Sequence, residues 1–188
     1  MKQEPSTDSA YYLSRDIVLL CEVFSSRVLH TNVDEYSKRS QKNVEKIWND
    51  IFYGKLAEWG VYFIYLERGR NNIDPPDMKI YNSWNKSFDP DLRYGLFNLH
   101  IKSQTFESAH RYGDSWIFQS KDPLFESSSE YDIMIGCRVT LDKTSGDFIE
   151  GAYIEIKLEK DFNSLAFGKT KLSKFSENKI AVYLEDNK

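Results

Sequence analysis

With 188 residues, 40% of them hydrophobic and 29% charged, the chain has material for one domain with a full core and too little for two ordinary ones. A net charge of −4 and a pI near 5.5 exclude a histone-like basic protein, so any nucleic-acid contact must come from a local patch. Cys21 and Cys137 each sit in an apolar run, which suits buried, reduced thiols better than a disulfide. The start of the chain is polar and the apolar run over residues 16–24 is too short to span a bilayer, so a cytoplasmic protein with no membrane contact is expected.

Residues 1–9 read as a disordered tail, and 10–188 as a single domain. The apolar stretch over residues 11–29 fits helix or strand, and Ser14 and Asp16 as a start favour helix. Over 41–59, Val44, Ile47, Trp48, Ile51, Phe52, Leu56 and Trp59 recur at helical spacing, with Gly60 placed as a left-handed cap. The β-branched and aromatic run 61–67 is predicted as a strand, and 77–82 and 95–104 as two more. In the last of these, Phe97, Leu99 and Ile101 share one face, and Asn98, His100, Lys102 and Gln104 the other. A helix over 105–119, capped by Thr105 and interrupted at Gly113, precedes strands at 132–141 and 152–158 joined by a hairpin turn at Gly146, and a short strand at 180–184 ends the series.

Phosphodiester hydrolysis at neutral pH calls for a hard cation held by one or two carboxylates, and for positive charge near the developing phosphorane. An aspartate at the entry of one strand and residues i and i+2 of its neighbour deliver such groups to one spot. Pro76-Asp77 and His100-Ile101-Lys102, with Gln104 next in the row, resemble the PD-(D/E)xK superfamily of restriction-endonuclease-like nucleases, His100 standing in the acidic position. The predicted element order over about 41–141 resembles that family's helix-β-β-β-helix-β core. The resemblance implies an α/β (α+β) fold: a mixed central sheet flanked by helices, with the C-terminal β-hairpin as an addition.

It also implies a metal-dependent endonuclease of restriction type, cutting double-stranded DNA as a homodimer. Asp77 would bind Mg²⁺, and His100 would be a second ligand or a water-orienting group that suits Mn²⁺. Lys102 would stabilise charge, Gln104 would orient the lysine or a phosphate, and Glu45 matches the helix glutamate that joins the metal site in some members. A second register, Asp132 with Glu155 and Lys157, offers a literal ExK on a strand. Arg68, Arg70, Lys86 and Arg111 are candidate DNA contacts, with the lysines at 169, 171, 174 and 179 as a further basic run. The alternative expectation is a non-catalytic module binding nucleic acid or protein, on the same sheet with a degenerate site.

Overall fold

The computed structural model describes residues 9–32, 43–81, 89–144, 146, 148–169 and 179–187. A first strand, β1 (Ala10–Ser14), runs directly into α1 (Arg15–Thr31), and α2 (Val44–Glu67) follows, its first turn capped by Asn43, whose side chain accepts from Lys46 N. Next come a hairpin of β2 (Leu92–Tyr94) and β3 (Phe97–Thr105), then α3 (Phe106–Tyr112), β4 (Ser115–Gln119) and a single turn, α4 (Leu124–Ser127). The long strands β5 (Asp132–Lys143) and β6 (Ile149–Asp161) pair as a hairpin, and β7 (Gly168–Lys169) and β8 (Lys179–Tyr183) close the series. Among the described residues, five strands form a mixed sheet in the order β1-β6-β5-β3-β2, and β4, β8 and β7 form a small antiparallel one. The β3–β5 pair is parallel, which the crossover through α3, β4 and α4 makes possible.

The mixed sheet carries a core on each face. Against one face lie α1 and α2, packing Val18, Phe52, Leu56, Val61 and Tyr65 on Leu99, Ile101, Ile135 and Ile154. Against the other lies the second sheet, whose Trp116, Phe118 and Val182 meet Met134 and Leu158. Cys21 and Cys137 are buried and free, and burial pushes the Cys21 thiol up to about 12, so neither is a ready nucleophile. Among the described residues no helix is long and apolar enough to cross a membrane.

The mixed sheet with flanking helices is as expected, and so is the hairpin turn, where Gly146 takes φ 104°. Three expectations are corrected. Residues 61–67 are not a strand but the last turns of α2: Leu56, Ala57, Gly60, Val61, Ile64 and Tyr65 are buried at helical spacing, whereas a strand would bury alternate residues. Residues 77–81 form no strand, since Pro75 and Pro76 offer no N–H and Asp77 turns back onto Lys79 N and Tyr81 OH. The helix expected over 105–119 stops at Tyr112, where Gly113 takes φ 77°, and the rest pairs with β8 as β4. The C-terminal hairpin is present as β5 and β6, with β6 covered on its far side by β1.

Gly60 is needed for a reason other than capping. It sits mid-helix where α2 crosses β6, and a Cβ there would collide with Ile154. Gly60→Ala is therefore expected to destabilise the fold by about 1–3 kcal/mol through overpacking, despite alanine's better helix propensity. Urea unfolding of the variant beside wild type measures it, and unchanged or raised stability would refute this account of the α2–β6 crossing.

Candidate functional site

The open feature of the sheet is the outer edge of β3. β2 pairs with it through Phe97, Asn98 and Leu99 and then ends, and no described strand covers that edge beyond. The Ile101 N–H, exposed by this gap, donates instead to Oδ2 of Asp91 at 2.6 Å. Asp91 follows Pro90 at the head of β2, so the short hairpin itself sets the carboxylate against the edge.

From the helix face, α2 brings Glu58, whose side chain is only 12% exposed. Lys55 Nζ lies 2.5 Å from Glu58 Oε2, donates to the Asp77 carbonyl at 3.0 Å and sits over the Phe24 ring. Burial pushes the Glu58 carboxyl up to about 8, with Asp91 and then Asp77 adding to the rise and Lys55 opposing it. Carboxylates from α2, from the irregular segment before β2 and from the head of β2 thus share one local field. The Asp77 carboxylate itself accepts from Lys79 N at 2.9 Å and from Tyr81 OH; burial opposes ionisation, but these bonds hold its pKa below the ordinary value.

The remaining predicted residues fall elsewhere. His100, Lys102 and Gln104 project from β3 toward the second sheet, while Leu99 and Ile101 face α2, so the structure does not bring Asp77 together with them. His100 Nε2 lies 2.8 Å from Asp132 Oδ1, and Lys102 Nζ lies over the Phe118 ring. Gln104 is buried and pins the α3–β4 turn, accepting from Ser115 N and donating to Gly113 O, each at 3.0 Å. The second register is not assembled: Glu155 pairs with Arg138, six residues along β5 from Asp132, a separation of roughly 20 Å at strand rise. There Arg138 binds Asp114 in a fork and also meets Glu155, which lies 3.8 Å from Lys157.

Glu45 is exposed in the first turn of α2, thirteen positions and roughly 20 Å of helix before Glu58. Arg68 and Arg70 are occupied by Glu159, which also accepts from Tyr65 OH. Arg111 is exposed at the end of α3. Lys86, Lys171 and Lys174, and the side chain of Lys169, lie outside the described residues.

No family model, curated protein or solved structure matches this chain. Its chemistry therefore rests on the site's own geometry. Among the described residues, no three His, Cys, Asp or Glu side chains come together as a ready cage for a metal ion. A Mg²⁺ ion asks for less, one or two carboxylates with water and substrate phosphate completing the shell; Asp91 supplies one at the edge of β3, and Glu58 is near enough to feel its charge.

Neither residue was singled out from sequence, though both left a signal. Pro90-Asp91 repeats the Pro-Asp pair of Pro76-Asp77 only nine residues before His100, and Glu58 interrupts the apolar series Leu56, Ala57, Trp59.

The raised Glu58 pKa has a thermodynamic sign. Between about 4.5 and about 8 the folded protein keeps a proton that the unfolded chain has released, so stability should fall as pH rises through that window. Glu58→Gln keeps the side chain's shape and removes the titration. Its stability should stay flatter with pH than that of wild type, as thermal melts at several pH values will read; an unchanged slope would refute the assignment.

Proposed function

We propose that the chain is a metal-dependent nuclease of restriction-endonuclease-like type, cutting duplex DNA at the open edge of β3. The observation that carries the reading is the Asp91 carboxylate set on the open edge of β3, the strand that also bears His100 and Lys102, with Glu58 near enough to feel its charge. Asp91, rather than Asp77, then takes the role of the Pro-Asp aspartate, and Glu58 rather than Glu45 that of the helix glutamate.

Glu58 and Asp91 would hold the divalent cation, Mg²⁺ or Mn²⁺. Bound there with the scissile phosphate, the ion would polarise a phosphoryl oxygen and acidify a coordinated water. Lys55, fixed between Glu58 and the Asp77 carbonyl, keeps the glutamate aimed at the edge and offsets part of the acidic charge. Lys102, two residues past His100, would have to swing from the Phe118 ring to the edge of β3 to supply positive charge to the phosphate as negative charge develops on it. Arg111, exposed on the helix that follows β3, would touch a neighbouring backbone phosphate without reading sequence. A homodimer would match the two-fold symmetry of a duplex cut on both strands.

A second reading, a nucleic-acid- or protein-binding module without catalysis, draws on one observation: the Asp77 and His100 side chains are already engaged by internal partners. Incubating plasmid and linear duplex with purified protein under Mg²⁺, Mn²⁺ or chelator separates the two. Metal-dependent cutting is expected, reduced by about 100-fold or more in Asp91→Ala and Glu58→Gln, the scale of losing one charge-stabilising group. Glu155→Ala, removing only the contacts with Arg138 and Lys157, should cut normally. No cutting with either metal, alongside retained DNA binding, would favour the binding module.

A further inference from the structure

The imidazole of His100 stands where the resemblance calls for an acid, and its surroundings specify which nitrogen is available. Asp132 is buried at the start of β5, and the parallel register places Asn98 beside it, two residues before His100. Its Oδ1 accepts from Asn98 Nδ2 at 3.1 Å and lies 2.8 Å from His100 Nε2, while its Oδ2 accepts from Ser129 N at 2.7 Å and Ser129 Oγ at 2.8 Å. Although burial opposes ionisation, the bonds from His100, Ser129 and Asn98 hold the Asp132 carboxyl down at about 2.

An ionised carboxylate can only accept, so the hydrogen on that side of the ring belongs to Nε2. A neutral ring carries one N–H, which leaves Nδ1 with its lone pair. Nδ1 makes no hydrogen bond to any described residue, yet it is not sealed in: among the described residues, the buried side-chain polar atom without a partner is Trp59 Nε1. The lone pair therefore meets solvent.

We infer that Asp132 is a positioning residue that fixes His100 with Nδ1 outward, as the proton acceptor for the water that attacks the phosphodiester. This role for Nδ1 rests on the nuclease reading; the choice of tautomer does not. In the step, the water oxygen bonds to phosphorus as the bond from phosphorus to the leaving oxygen breaks. The water's proton passes to Nδ1, and the leaving oxygen takes a proton from solvent. The imidazolium so formed is stabilised by the Asp132 carboxylate and later returns its proton to solvent. The pair together carries one negative charge before reaction, as the missing acid would, so the departure from (D/E)xK at His100 conserves charge across two strands.

The test begins on metal-free, DNA-free protein. Long-range ¹⁵N–¹H NMR of the histidine rings at pH about 8.5, above the ordinary imidazole range, reads the tautomer directly. His30→Gln and His110→Gln remove the other two histidines and assign His100. Nε2–H is expected in wild type, giving way to mixed tautomers in Asp132→Ala. In cleavage assays Asp132→Ala should lower kcat by about 10- to 100-fold, the usual cost of losing a group that orients a reacting side chain, with KM for DNA little changed. A proton on Nδ1 in wild type overturns the inference, and this needs no variant to fold. Asp132→Ala cutting at the wild-type kcat, or losing activity entirely through KM, overturns it as well. If wild type cuts nothing with Mg²⁺ or Mn²⁺ while His100 shows Nε2–H, the nuclease reading falls and the water-accepting role with it, and the tautomer assignment stands.

Discussion

The site depends on how soon β2 ends. Three residues of pairing hold Phe97 to Leu99, after which the outer edge of β3 has backbone groups to satisfy and no described strand to satisfy them. An uncovered edge invites pairing with another chain unless something blunts it. Here a carboxylate does so, Asp91 spending one oxygen on Ile101 N, while the other takes no hydrogen bond from a described residue. A longer β2 would have closed the ladder and put backbone where the carboxylate now stands. The gap in the sheet and the acidic group at its edge are one feature.

The second determinant is the line taken by α2. Its contact with β6 at Gly60, where a side chain would otherwise hold helix and sheet apart, sets how closely the helix lies on the sheet, and Glu58 stands two residues earlier on that helix. Lys55, one turn before Glu58, is carried inward by the same packing and donates to it with little exposure, the two forming an ion pair once Glu58 loses its proton. Such a pair contributes little net stability after desolvation is counted, and removing one partner strands the other. It is better understood as the means of keeping an acid inside an apolar interface, pointed at the edge. On the nuclease reading, the acidic field at that edge repels a phosphate until a cation neutralises it, which ties substrate binding to metal binding without any moving part.

Sequence periodicity read the sheet best where a single face is buried. The alternation in β3 was legible because Leu99 and Ile101 meet α2 while His100 and Lys102 do not, and the β5–β6 hairpin because Gly146 marks its turn. It failed where two patterns coincide. Residues 61–67 satisfy a strand by composition and a helix by spacing, and only the packing of Ile64 and Tyr65 on the sheet decides between them. Gly60 looks like a cap from its neighbours and is a close-contact residue from its partner on β6. Asp77 and Asp91 both follow proline, and nothing local shows which one the hairpin will press against β3. Glu58 was hidden for a similar reason: a charged residue beside an apolar stripe reads as surface until the helix is known to be covered on that flank as well.

The pairing of His100 with Asp132 was beyond local reading altogether. The two residues were noticed separately, as members of rival motifs, and what unites them is a parallel register set through α3, β4 and α4. In that register Asn98 and Asp132 are neighbours, so the residue two places on from Asn98, on the same face, can turn its ring back to the carboxylate. Ser129, in the turn before β5, then supplies two donors that hold the carboxylate still. On the nuclease reading, a histidine at this position is thus not a lone substitution for an acid. It is half of a two-residue group whose charge is anchored at the end of one strand and presented from the next, and the crossover that makes the sheet mixed is what brings the halves together.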